Sequence, residues 1–136
     1  MAKEFALSVV APDREVVAEQ VTSVVAPGTS GYFGVMADHL PLVAALKPGL
    51  LEYLDGNNQR HFVYVGGGFV EVRSNRMTVL ADEASRARDI DLSRAEADLE
   101  TARRALRGEE TTLTEEQAVT EMEKAIQRIR AARAVR

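Results

Sequence analysis

His39 and His61 are the only imidazoles in this 136-residue chain, and it contains no cysteine. They lie in different segments, so the convergent nitrogen and sulfur ligands of a zinc site are missing and no metal site is expected. The absence of cysteine also removes disulfides and thiolate nucleophiles. Ser8, Ser23, Ser30, Ser74, Ser85 and Ser93 sit in no strand-to-helix nucleophile elbow, and no catalytic residue is expected. The run "PGTSGYFGVMADHLPL", residues 27–42, has three glycines and invites a phosphate-cradling reading. A phosphate loop needs Gly-Lys-Ser/Thr opening a helix, whereas this run has no lysine and leads into Pro41, which disfavours helix at Leu40. Gly28, Gly31 and Gly34 are therefore expected to permit positive φ or close backbone approach. Gly66, Gly67 and Gly68 are expected to make a bulge or bend. His39 reads as a turn residue beside Pro41, and His61 as a strand residue near a hairpin.

The charges constrain partners. Seventeen Lys and Arg against 21 Asp and Glu leave a net charge of −4, and the isoelectric point is near 5.3, which argues against nucleic acid. The distribution is uneven. Glu96, Asp98, Glu100, Glu109 and Glu110 contrast with Lys124, Arg128, Arg130, Arg133 and Arg136, a tail with no acid. Two readings stand: the bases complement a helix C-terminus and keep the tail soluble, or they meet an acidic partner.

The elements that must position these residues have two different periods. From Phe5 to about Ala81, short apolar runs alternate with turn signals, the pattern of a β-sandwich or barrel of about eight to ten short strands. Tight hairpins are expected around Asp55-Gly56-Asn57-Asn58 and around Ser74-Asn75. After Ala81 the composition favours helix. Leu92, Ala95, Leu99, Ala102 and Leu106 form one stripe, with Asp91 as N-cap and Gly108 as the stop. Thr114-Glu115-Glu116-Gln117 has capping-box spacing and precedes Val119, Met122, Ile126 and Ile129, with Ala118, Ala125 and Ala132 alongside. Two helices, about 91–107 and 114–134, would form an antiparallel hairpin. The expected chain is α+β, divided at 1–86 and 87–136. No signal peptide is legible at the start, and no apolar run approaches the roughly 20 residues of a membrane span. A soluble, intracellular protein is expected.

The runs "VVAPGTSGYFGVMADHLPLVAALKPGLL" and "YVGGGFVEVRSNRMTVLADEASRARDIDLSRA", in this order, resemble the epsilon subunit of bacterial and chloroplast F-type ATP synthase, the counterpart of the mitochondrial delta subunit. The resemblance covers nearly the whole chain. It implies a flattened β-sandwich of about ten short strands followed by the helical hairpin. It also implies a non-catalytic rotor subunit coupling proton-driven ring rotation to gamma, peripheral to the cytoplasmic face of the plasma membrane. By resemblance the sandwich binds gamma and the ring of membrane-embedded c subunits, the latter through a loop carrying Gly31, Tyr32, Gly34, Met36, Asp38 and His39. The family's hairpin either folds against the sandwich or extends among the alpha and beta subunits and restrains ATP hydrolysis. Arg128, Arg130 and Arg133 would then meet an acidic segment of beta.

Some members bind ATP through Ile/Leu-Asp-x-x-Arg-Ala, here Ile90-Asp91-Leu92-Ser93-Arg94-Ala95, with Glu83 upstream and Lys124 and Arg128 on the second helix. ATP would be a regulatory ligand, and no cofactor is required. Thr101 stands where strong binders have a further arginine, so the site is expected to be weak. The motif also reads as an N-cap followed by an arginine one turn later. A different class of reading is a free-standing β-sandwich binding module or nucleotide sensor with a helical tail.

Overall fold

The computed structural model describes residues 2–109 and 111–136; Glu110, one of the acids named above, lies outside them. The described strands are β1 (Phe5–Ala11), β2 (Arg14–Gly28), β3 (Gly31–Met36), β4 (Leu42–Asp55), β5 (Arg60–Arg73), β6 (Arg76–Ala81) and β7 (Ala84–Arg86). A single 3-10 turn, Ala87–Asp89, leads to α1 (Leu92–Leu106) and α2 (Glu115–Ala134). The sheet order is β1-β6-β5-β4-β2-β3; β1 also pairs with β2, and β7 pairs with β5.

The β-sandwich and two helices are those expected, but seven described strands replace about ten. Residues read as strand ends act as bends inside longer strands. β2, with 15 residues, runs through to Pro27-Gly28, and β4 and β5, with 14 each, continue through Pro48 and through Gly66, Gly67 and Gly68. In β5, Val63 and Val65 face the core before the glycines, whereas Val70 and Val72 face it after them. Odd positions become even ones, the signature of one irregular step in a period of two. β4 switches likewise, from Leu46 to Leu51 and Tyr53. The bend needs glycine at position 68, where φ is +133° and a Cβ would lie 2.2 Å from the Leu80 carbonyl oxygen. Gly31 also has positive φ, at 130°. Gly34 departs from expectation, since the nearest atom to an added Cβ is 3.9 Å away.

The Ser74-Asn75 hairpin is a two-residue turn closed by Arg73 and Arg76, with φ of 51° and 57° at its centre. These are type I′ values, which match the sheet's twist. At the other hairpin Asp55 Oδ1 accepts from Asn57 N at 2.8 Å and Gln59 N at 3.0 Å.

The helices begin and end as their caps dictate. Asp91 accepts from Arg94 N at 3.1 Å. Gly108, with φ 83°, closes α1 by Gly108 N to Ala105 O and Glu109 N to Arg104 O, both 3.1 Å, the paired bonds of a Schellman motif. Thr114 and Gln117 form the reciprocal capping box at 2.9 and 3.1 Å. The helical seam is narrow and built on alanine. Ala95, Ala102, Ala118, Ala125 and Ala132 are buried, while Val119 is exposed. Alanine lets the two backbones approach closely, which pushes the larger side chains to the edges of the seam.

The hairpin is folded against the sandwich. Leu50 and Tyr64 pack with Ala87, Ile90, Ala131 and Ala132 in a cluster separate from the main core. Burying Leu50 and Ile90 contributes about 1.5–3 kcal/mol each. The chain enters this interface from an anchored residue. Arg86 donates to Val16 O at 3.2 Å and to the Tyr53 hydroxyl at 3.0 Å, and pairs with Glu19 at 3.5 Å. Tyr53 stacks on His61, with ring centroids 4.8 Å apart, and donates to Glu19. Burial first, and that bond second, push its phenol up to about 12. His61 lies 2.8 Å from Asp55, and both histidines sit where the sequence put them, one in a turn and one in a strand.

Candidate functional site

Where the hairpin meets the sandwich, five charged side chains and one phenol form a chain of contacts. Glu83, between β6 and β7, approaches Arg128 at 3.2 Å and Lys124 at 3.9 Å, both from α2. Arg128 also pairs with Asp98 of α1 at 3.6 Å, and Asp98 with Arg94 at 3.7 Å, one turn earlier. Beneath them Tyr64 donates to Glu83 and accepts from Arg128 at 3.4 Å, with the guanidinium 5.5 Å from its ring centroid. Burial, followed by the bond to Glu83, holds the Tyr64 phenol far above its ordinary value, so it stays a donor. Three cations face two carboxylates, an excess of one positive charge. Arg94 is the most open member, its side chain 79% exposed, whereas Arg128 is 19% exposed. Chemically this is an anion-accepting surface with its own carboxylates already in place.

Of the residues grouped by sequence, Glu83, Arg94, Lys124 and Arg128 converge here. The other three serve the scaffold. Ile90 is buried in the interface, Ala95 is buried between the helices, and Asp91 spends one carboxylate oxygen on the α1 cap. Thr101 donates to Ala97 O at 3.1 Å within its own helix. Two members were not identified from the sequence. Asp98 was signalled by its spacing of four from Arg94. Tyr64 had no local signal, because only the strand's register shows that it faces the hairpin.

The three arginines read as one basic stripe differ in their surroundings. Arg128 is held inside the cluster, while Arg130 is exposed beside Gln127 at 2.7 Å. Arg133, also exposed, pairs with Glu96 at 3.6 Å. Arg130 and Arg133 line a groove on the hairpin with Leu99 and Ile126.

The loop expected to present Gly31 to His39 as one surface is two surfaces. Gly31 and Tyr32 begin β3 and Met36 ends it, so roughly 16 Å of extended chain separates them. At the first end the Tyr32 hydroxyl accepts from Leu50 N at 3.3 Å, and Lys47 Nζ lies 5.7 Å from its ring centroid. At the far end Met36 and Leu40 are exposed. Asp38, with φ 62°, pairs with Lys3 at 2.6 Å, and His39 Nδ1 lies 2.6 Å from Leu40 O. Gly34 lies between, facing outward. On the sheet face beyond, register aligns Phe69 with Leu80 and with Ala45. Val43, Phe69 and Leu80 are 71%, 60% and 58% exposed, an apolar group on a face the helices leave open. Among the described residues no group of three or more His, Asp or Glu side chains is placed to hold a metal, and no helix is long and apolar enough to cross a membrane.

The family model described as ATP synthase, Delta/Epsilon chain, beta-sandwich domain matches residues 4–87. This chain belongs to that family. It is 41% identical over 130 residues to the ATP synthase epsilon chain of Nitratidesulfovibrio vulgaris (strain DP4), covering 96% of each chain. It is 42% identical over 133 residues to the ATP synthase epsilon chain of Desulforamulus reducens, covering 97% of this chain and 99% of the relative. Both matches extend past the sandwich into the hairpin. Among solved structures, a chain of the Euglena gracilis mitochondrial ATP synthase complex of OSCP, F1 and c-ring superposes with a TM-score of 0.73 at 23% identity, covering 97% of this chain and 81% of that one. A chain from the Tetrahymena thermophila mitochondrial ATP synthase central stalk and c-ring gives 0.62 at 13% identity, covering 96% and 98%. At such identities these two show the fold. Val43, Phe69, Leu80 and both ends of β3 lie within the residues that the family model matches.

Proposed function

We propose that this chain is a non-catalytic central-stalk subunit of an F-type ATP synthase, joining gamma to the membrane ring. The open apolar face carries this reading: Val43, Phe69 and Leu80 are more than half exposed on one sheet face, the mark of a surface that is covered in an assembly. A permanent partner such as gamma suits it. The small, polar turn at Thr29, Ser30 and Gly31 beside Tyr32 suits the ring, whose protruding ends must be polar to meet water. Met36, Asp38 and His39, in the segment leading to Val43, go with the gamma face. The chain is then peripheral, held at the cytoplasmic side of the membrane through its complex. Mixing it with gamma and following gel filtration tests this: a 1:1 complex is expected, lost in Phe69→Glu, and absence of a complex with the unaltered chain sinks the reading.

The hairpin is the regulatory part. Docking holds Arg128 on Glu83 of the sandwich, so undocking releases it from that carboxylate to join Arg130 and Arg133 against the beta subunits. Exposed pairs are worth roughly 0–1 kcal/mol each, so they act together and weaken with salt. Charge reversal at Arg130 and Arg133 is expected to raise ATP hydrolysis by the assembled complex; unchanged hydrolysis contradicts it. ATP binds the docked form weakly, its phosphates meeting Arg94, Lys124 and Arg128 with the fork geometry of arginine favouring phosphate oxygens. Titration calorimetry with Arg94→Ala as control tests this, and no heat at millimolar ATP overturns it.

A further inference from the structure

Asn75 lies in the turn between β5 and β6, distant in sequence from the loop 37–41, yet its side chain touches that loop. We infer that Asn75 is a positioning residue that holds the Met36–Leu40 segment in shape for docking. The inference rests on the reading that this segment belongs to the gamma-binding face.

Three hydrogen bonds leave this one residue for two other segments. Its Oδ1 accepts from Asp38 N at 2.9 Å, its Nδ2 donates to Glu4 O at 3.1 Å, and its own carbonyl accepts from Ala6 N at 3.3 Å. The amide orientation is fixed by its partners, because a flip would set donor against donor and acceptor against acceptor. The loop needs this support. Asp38 has φ of 62°, a left-handed conformation costly for a residue with a Cβ. Within the loop, His39 N donates to Met36 O at 3.2 Å. From outside, Met36 pairs with Ser23 of β2 and Ala37 packs against the main core, but at Asp38 itself the further tie is the Lys3 ion pair, whose two side chains are 65% and 61% exposed; exposed pairs contribute little. An exposed apolar residue such as Leu40 on a slack loop would lose its contact energy to ordering, whereas a braced loop has met that cost before binding. The turn itself requires only positive φ, which glycine supplies at least as well as asparagine. The backbone therefore accounts for a left-handed residue at position 75, and the contacts account for asparagine.

That separation makes the test clean. Asn75→Gly keeps the turn and deletes both side-chain bonds, while Asn75→Asp keeps the acceptor for the Asp38 amide and tolerates the same backbone. Hydrogen exchange on the full chain, thermal melting and affinity for gamma are measured for both. The expected result is Asp38 amide exchange roughly five-fold faster in Asn75→Gly, a melting temperature lowered by only about a few degrees and weaker gamma binding, with exchange protection restored in Asn75→Asp. Unchanged exchange at Asp38 overturns the brace. Faster exchange with unaltered gamma affinity, while Phe69→Glu still abolishes binding, overturns the docking role and leaves the gamma face standing. Full gamma binding by both Asn75→Gly and Phe69→Glu refutes the gamma-face reading itself.

Discussion

Replacing Arg128 by alanine should loosen the hairpin from the sandwich, and the size of the effect follows from its contacts. Across the interface the guanidinium bonds Glu83 at 3.2 Å and the Tyr64 hydroxyl at 3.4 Å and lies 5.5 Å from the Tyr64 ring centroid; its pair with Asp98 lies within the hairpin and survives undocking. A hydrogen bond to a charged group contributes about 1.5–3 kcal/mol. Glu83 is about two-fifths exposed, so screening holds its bond together with the Tyr64 contacts to about 2 kcal/mol. Tyr64 keeps Glu83 as a partner, which avoids a buried orphan. About 2 kcal/mol is roughly a 30-fold change in the undocked population. Trypsin reads this population, because Arg88 lies in the 3-10 turn between the anchored Arg86 and the buried Ile90, and cleavage there requires local opening. In the fast-reclosing regime the cleavage rate tracks the open population. Cleavage after Arg88, followed by intact mass, should rise roughly 30-fold in Arg128→Ala and less than about two-fold in Arg130→Ala. Equal rates in the two variants would refute the assignment of docking to Arg128.

Three further perturbations test the supporting physics. Tyr64 has a raised folded-state value, so its share of docking is complete below pH 10.0, its ordinary value, and is lost as pH climbs above it; spin-label distances between sandwich and hairpin should show undocking that steepens there, and Tyr64→Phe should remove that steepening. Gly68→Ala forces a side chain into positive φ with a Cβ 2.2 Å from a carbonyl oxygen, at a cost of about 3 kcal/mol; thermal melting should fall by on the order of 10 °C. Thr114→Ala removes half of the α2 capping box and costs about 1 kcal/mol, read as faster amide exchange confined to the first turn of that helix.

The helices were the most legible part, because caps are local: Asp91, Gly108, Thr114 and Gln117 each act within a few residues. The strands were less so. Pro27, Pro48 and the three glycines of β5 carry the same local chemistry whether a strand ends or bends, and only pairing with a distant neighbour decides. Glu83, Arg94, Lys124 and Arg128 were named because of a motif, but their meeting depends on a docked hairpin, which no local pattern encodes. Tyr64 and Asn75 stayed hidden for the same reason: each acts through residues distant in sequence. The run from Gly31 to His39 read as one loop, since a run of glycines does not reveal that β3 is extended from Gly31 to Met36.

Hydrogen exchange on this chain with and without gamma tests the central claim most directly. The account predicts protection at 40–45, 68–71 and 78–80, around Val43, Phe69 and Leu80, with the hairpin little changed. Protection confined to the hairpin, or none anywhere on the sandwich, would contradict it.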